Sequence, residues 1–273
     1  MEILVSIACA LYLLSAVSYL IFLFKSRARY QRWGTRLLLS GFLVHSAALV
    51  LGFVQARHIP VRNLYETLSF AAWALAGGFL VVQHKFKIKL LGAWAAPLVA
   101  LIVAVATLIP REPVAAQPIF NSFWVVFHVA AVFAGEAAFA LACGLGILYL
   151  LQENAIKSKR HGYFYKHLPS LELLDSAGYT CLVTGFSLIT VGLITGFIYA
   201  KAVWGRFLSW DPKEIWSAVT WILYAALLHQ RLTTGWRGRK SAIMAIVGFA
   251  LVVFTLFGVN FLLQGHHGQF TRF

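Results

Sequence analysis

Residues 122–151 read SFWVVFHVAAVFAGEAAFALACGLGILYLL, a run in which Glu136 is the only Asp, Glu, Lys or Arg. A bilayer core of about 30 Å takes about 20 helical residues, so this stretch is long enough to cross it as one helix. It lacks the strict alternation of a membrane barrel strand. Seven further apolar runs accompany it, at approximately 3–24, 37–55, 65–83, 90–110, 177–200, 215–233 and 242–263. The chain of 273 residues is 60% hydrophobic and 12% charged, with a mean hydropathy of +0.78, whereas a soluble domain carries about 25% charged residues. The expected fold is an all-α integral membrane protein: a single membrane domain over 1–273 containing a bundle of about eight transmembrane helices.

The charges lie between the apolar runs. One set of connections holds Lys25, Arg27, Arg29, Arg32 and Arg36, then Lys85, Lys87 and Lys89, then Lys157, Lys159, Arg160 and Lys166, and last Arg231, Arg237, Arg239 and Lys240. These are 16 of the 23 basic residues; the alternate set holds the other 7. Short loops rich in Lys and Arg stay cytoplasmic, so both termini and the connection 201–216 between helices six and seven are expected on the external face. The net charge of +14 therefore reads as membrane orientation and not as a nucleic-acid footprint. Glu2 follows Met1 directly, and the positive charge comes after the first apolar run, which argues for a helix instead of a signal peptide. Cys9, Cys143 and Cys181 stand alone in apolar runs and read as small buried hydrophobes.

The connection 201–216 contains Trp204-Gly-Arg-Phe-Leu-Ser-Trp210-Asp-Pro-Lys-Glu-Ile-Trp216. One or two tryptophans at this depth would be an ordinary interfacial belt. Here Trp204, Phe207, Trp210 and Trp216 share one loop with Arg206, Lys213 and Glu214. Asp211-Pro212 is a helix start, with Asp as the cap and Pro at the first helical position. Aromatic faces with Arg206 or Lys213 nearby suit a flat, apolar ligand that carries carboxylates, and heme fits that description.

The histidines sort by depth. His84, His161 and His167 lie in basic loops and are expected to be solvated, and His58 lies in an external stretch. His128 is about one and a half turns into the fifth helix from its external end, while His266 and His267 follow the last helix on the same side. Together they form a candidate bis-imidazole iron site. His45 and His229 fall within helices, His45 near mid-membrane and His229 toward the cytoplasmic side. Glu136 shares the helix face of His128, and ionisable groups at such depths face the protein interior and mark functional positions by default.

Several segments together resemble the CcsA/ResC proteins, heme-handling membrane proteins of system II cytochrome c biogenesis in the superfamily with the tryptophan-rich WWD motif. They are Trp204-Gly205, Trp210-Asp211-Pro212-Lys213-Glu214, Trp221, His229, Gly235-Trp236-Arg237-Gly238-Arg239-Lys240-Ser241-Ala242, Phe257-Gly258-Val259-Asn260 and His267. Asn63-Leu64-Tyr65-Glu66 and Phe127-His128-Val129 add to the match, which spans about 45–267. The resemblance implies that the chain works with a CcsB/ResB partner as part of a cytochrome c heme lyase (synthetase) complex. In that complex heme b is a transient substrate, carried outward and attached to CxxCH cysteines of apocytochrome c. It implies His128 and His267 as external axial ligands, with His267 favoured over His266 by its spacing from Asn260. It also implies heme contacts at Trp204, Gly205, Arg206, Trp210, Asp211 and Trp216. His229 would be this chain's ligand in a deeper site completed by the partner, while His45, Glu136, His266 and Glu214 rank lower. Leu208 stands where the family usually has a further Trp. The implied setting is a bacterial plasma (inner) membrane or a thylakoid membrane, with the loop periplasmic or lumenal.

On this reading heme docks with iron between His128 and His267 while two thiols add across its vinyl groups, a step governed by positioning. A diheme b-type electron-transfer subunit would instead pair His residues deep in the bundle and leave the tryptophan loop without a task. A non-catalytic HemX-like scaffold would lack that loop. A transporter would show repeats and broken helices at the midplane, and neither is visible.

Overall fold

Inside a bilayer a backbone has no water to bond to, so each apolar run must close its own hydrogen bonds as a helix. A computed structural model shows this for residues 2–56, 61, 63–109, 123–159, 167–208 and 210–258, the residues described below. Eight long helices occur among them: α1 (Glu2–Lys25), α2 (Ala28–Ala56), α3 (Leu64–Phe86), α4 (Gly92–Leu108), α5 (Phe123–Lys157), α6 (Leu171–Trp204), α7 (Pro212–Thr233) and α8 (Arg239–Val253). A 3-10 turn, Lys89–Leu91, leads into α4, and a wider π-type turn, Phe254–Gly258, follows α8.

Seven of these helices are long and apolar enough to cross a membrane, α4 counted with the turn before it and α8 with the turn after it. The exception is α7, whose 22 residues are long enough at about 1.5 Å each but include Lys213, Glu214, His229, Gln230 and Arg231. Several helices are longer than their apolar runs. α5 has 35 residues, about 52 Å at 1.5 Å per residue, and α2 and α6 start well before residues 37 and 177. Their polar ends extend the helix beyond the apolar thickness.

The first half of the bundle is joined by side chains reaching between α1, α2 and α4. Ser15 Oγ donates to Gly34 O at 2.7 Å and Tyr19 OH lies 2.7 Å from Thr35 Oγ1. Gly92 of α4 leaves room for the Tyr19 ring. α3 joins this half to the second, running parallel to α5, since Phe70 meets the Phe133 ring edge-on at 5.5 Å and Gly78 faces Leu141. Trp94 of α4 adds a tie, its Nε1 donating to Ala140 O at 3.0 Å.

α5 and α6 are antiparallel: His128 faces Gly196, Val132 faces Gly192, Phe139 faces Gly185 and Leu145 faces Gly178. Small residues at a membrane helix interface let backbones approach closely. A Cβ placed on Gly185 would lie 2.6 Å from the Phe139 ring and 3.1 Å from Gly135 O. α7 runs antiparallel to α8 and the turn after it, through Tyr224 against Gly248, Trp216–Phe254 at 4.7 Å and Thr220–Thr255 at 3.3 Å. Tyr224 of α7 stacks on Phe139 of α5 at 3.6 Å.

One end of the bundle thus carries the 201–216 loop with the start of α5 (the tryptophan end), and the opposite end carries the basic connections (the basic end). Gly185→Val should overpack the α5–α6 contact and cost about 1–3 kcal/mol. The expected readout is a lower thermal unfolding midpoint of the detergent-purified protein; an unchanged midpoint contradicts the close approach.

Candidate functional site

His128 emerges from the second turn of α5 against the glycine face of α6. Its Nδ1 lies 2.8 Å from Gly192 O, and the lack of a side chain on Gly196 makes room for the ring: a Cβ there would sit 2.8 Å from His128 Cε1 and 3.1 Å from Nδ1. A carbonyl oxygen only accepts, so Nδ1 must carry the proton. In the neutral imidazole this puts the lone pair on Nε2 and fixes the ring's orientation. A histidine that ligates a metal is usually held in this way, its other nitrogen donating to a carbonyl or carboxylate.

The loop beside it is held at both ends by helix caps. Gly205 closes α6 with φ 75°, its N–H donating to Lys201 O at 3.1 Å. Asp211 opens α7, where its Oδ1 accepts from Lys213 N at 2.9 Å and its own N–H donates to Glu214 Oε2 at 3.4 Å. Pro212 occupies the first helical position. This is a reciprocal capping box, and it bears out the expectation that Asp211-Pro212 starts a helix. It also gives Glu214 a structural task.

Between the caps the chain presents aromatic side chains outward. Trp210 is 73% exposed and Phe207 56%, with Lys201 Nζ 5.1 Å from the Phe207 ring centroid. Trp210 adopts φ 56°, a left-handed conformation that costs a bulky residue about 1–3 kcal/mol and clusters at functional sites. Arg206 is exposed, and Leu208 is half-buried. Trp124 and Phe127 on the first turns of α5 are also exposed. Trp216 and Trp221 turn inward instead: Trp216 packs edge-on against Phe254, while Trp221 stacks on Phe186 and donates to Thr190 Oγ1 at 2.9 Å.

Glu136 lies two turns below His128 on α5. Its Oε2 is buried and has no hydrogen-bond partner among the described residues, and Lys213 at the start of α7 is close enough to interact with it electrostatically. The interior placement expected of Glu136 is therefore met at that oxygen.

The other intramembrane histidines go elsewhere. His45 is 0% exposed; its Nε2 lies 2.8 Å from Ser69 Oγ and its Nδ1 3.4 Å from Tyr12 OH. Both ring nitrogens are thereby engaged in a node that ties α1, α2 and α3, apart from the tryptophan loop. His229 is exposed on α7 near the basic end, and its backbone carbonyl accepts from Thr233 Oγ1. His84 and His167 are exposed, as expected, although His84 sits on the last turn of α3 and not in a loop. His58, His161, Asn260, His266 and His267 lie outside the described residues, as does the side chain of Trp204.

Two arrangements were not anticipated from sequence: the niche for His128 on α6 and an ion pair between Asp175 and Arg231. The heptad interval of Gly178, Gly185 and Gly192 on one helix was a readable signal for the first. An acid, Asp175, at the head of a helix on the basic side was a weaker signal for the second.

Fold and site define a polytopic helical membrane protein that orients an imidazole beside an exposed aromatic loop at one end of its bundle. The family model described as "Cytochrome C assembly protein" matches residues 61–267. The cytochrome c biogenesis protein CcsA of Mesostigma viride is 35% identical over 269 residues, covering 89% of this chain and 88% of that one. The protein of the same name from Prochlorococcus marinus strain SARG is 33% identical, covering 85% and 82%. Among solved structures, a chain titled cytochrome c heme lyase CcmF superposes with a TM-score of 0.69 at 19% identity. That match covers 98% of this chain and 47% of the other, so this chain spans about half of that length, and the likeness is one of fold. The chain belongs to the cytochrome C assembly protein family and, within it, to the CcsA-type biogenesis proteins.

Asp211→Ala removes the cap of α7 and should cost about 1 kcal/mol, read as a lower unfolding midpoint and faster proteolysis within 205–212. Asp211→Asn, which still caps, should stay near wild type. Equal behaviour of the two substitutions would show that the cap does not hold the loop.

Proposed function

We propose that this chain handles heme for attachment to cytochrome c, binding it at the tryptophan end with His128 and His267 as axial ligands. The observation that carries the reading is the hydrogen bond from His128 Nδ1 to Gly192 O, which puts the proton on Nδ1 and fixes the ring's orientation; on this reading Nε2 is the atom that takes iron. The exposed faces of Trp210 and Phe207 supply flat apolar area at the same end of the bundle, and exposed Arg206 supplies positive charge for a carboxylate. The printed names of the relatives, cytochrome c biogenesis protein and cytochrome c heme lyase, point to the same chemistry.

On this reading the tryptophan end is the external face, periplasmic or lumenal, and the basic end is cytoplasmic. Heme arrives reduced, meets His229 near the basic end in a site completed by a CcsB/ResB-type partner, and passes outward to His128 and His267. There each cysteine thiol of a CxxCH apocytochrome adds its S–H across one vinyl double bond, with no net change in oxidation state. The chain contributes ligation, orientation and an edge of heme left open to the apoprotein.

His128→Gly and His267→Gly should each abolish the reduced heme spectrum of the tryptophan-end site, and added imidazole should restore it. Gly196→Val, which pushes a methyl group into the His128 ring without removing any ligand, should weaken heme binding about 10–100-fold, the range for disturbing the residues that orient a ligand. Unchanged heme absorbance in both His variants would contradict the assignment.

A further inference from the structure

At the basic end of the bundle three helices meet on one carboxylate. Asp175 of α6 accepts from Arg231 of α7 through both oxygens, Nη1 to Oδ1 at 2.9 Å and Nη2 to Oδ2 at 2.6 Å. Its Oδ1 also accepts from the N–H of Gly238, at the start of α8, at 2.9 Å. The same guanidinium donates to Ser241 Oγ of α8 at 3.2 Å and lies over the Tyr179 ring, 4.3 Å from its centroid. The Arg231 side chain is 8% exposed, so this is an interior ion pair with its hydrogen bonds met, not a surface contact. Asp175 lines a small cavity together with Tyr149, Gly178, Ala242 and Ala245.

His229 stands two residues before Arg231, about 200° around a helix that turns 100° per residue. The inward face of α7 at this level belongs to Arg231 and the outward face to His229, which is exposed. Tyr224 and Trp221 pack α7 against α5 and α6 nearer the tryptophan end, and at the level of His229 the Asp175–Arg231 pair ties it to α6. A bidentate Arg–carboxylate pair holds position and angle together, which a point charge or a greasy contact does not.

We propose that the Asp175–Arg231 clamp is the positioning device for His229: it fixes the rotation of α7 about its axis so that the imidazole is presented on the outer face of the bundle toward heme. The proposal rests on the reading of His229 as a heme ligand. Asp175 and Arg231 do not touch the heme; they act through the helix.

The test is a titration of ferrous heme into the full chain as extracted with its native membrane partners, comparing His229→Gly, Asp175→Asn, Asp175→Glu and the double variant Asp175→Asn/His229→Gly. His229→Gly should weaken binding at the deep site at least about tenfold, and Asp175→Asn by about the same factor. The double variant should be no weaker than His229→Gly, because residues acting through one group are not additive. Asp175→Glu, which keeps the charge, should recover most of the affinity. Asp175→Asn/Arg231→Leu removes both charges, so it leaves no orphan ion to unfold the protein; it should fold and still bind heme about tenfold more weakly. Wild-type affinity in that folded variant, or additive losses in Asp175→Asn/His229→Gly, would overturn the clamp. An unaffected His229→Gly would instead overturn the ligand assignment beneath it, and the two failures are told apart by which variant keeps its heme.

Discussion

α5 and α6 lie so close along Gly135 and Gly185 that a methyl group on either would meet the other helix, through Ile189 at 2.7 Å or Gly135 O at 3.1 Å. Everything at the tryptophan end follows from that approach. It brings Gly192 O within reach of His128 Nδ1 and leaves the imidazole a recess where Gly196 has no side chain. It also ends α6 beside the start of α5, so the loop beginning at Gly205 opens next to the histidine. Lipid tails are as apolar as the side chains and supply no hydrophobic drive for helix association, so packing of this kind has to carry it.

α7 joins the two ends. Among the eight long helices of the described residues it alone lacks an apolar stretch fit to cross a membrane, and polar contacts hold it at its extremities: the Asp211–Glu214 capping box at the tryptophan end and the Arg231–Asp175 pair at the basic end. Between them Tyr224 stacks on Phe139 and Trp221 on Phe186. A helix that carries His229 near one end and starts at the aromatic loop at the other is suited to link the two proposed ligand positions. Lys213, Glu214 and Arg231 have partners inside the protein, which is how such residues are tolerated at membrane depth.

Much of this was legible in the amino-acid sequence, and the misses have physical causes. Apolar runs located all eight helices because a bilayer demands about 20 residues whatever the packing. Their ends were less legible: α2 and α6 extend through basic and polar residues that hydropathy ignores but that helical hydrogen bonding does not. Asp211-Pro212 was readable because capping is local chemistry. The recess for His128 was not, since it needs the register of α5 against α6. His45 illustrates the limit of depth as a guide: Ser69 and Tyr12, from two other helices, satisfy a histidine that composition alone marks as functional. The Asp175–Arg231 pair joins residues far apart in the chain, and neither stands out locally.

The central claim is that His128 Nε2 faces iron in a bis-imidazole site at the tryptophan end. Electron paramagnetic resonance of the purified full chain loaded with ferric heme addresses it directly. The account predicts a low-spin bis-imidazole signal that converts to high spin in His128→Gly and returns to low spin with added imidazole. A low-spin signal identical in wild type and His128→Gly would contradict it.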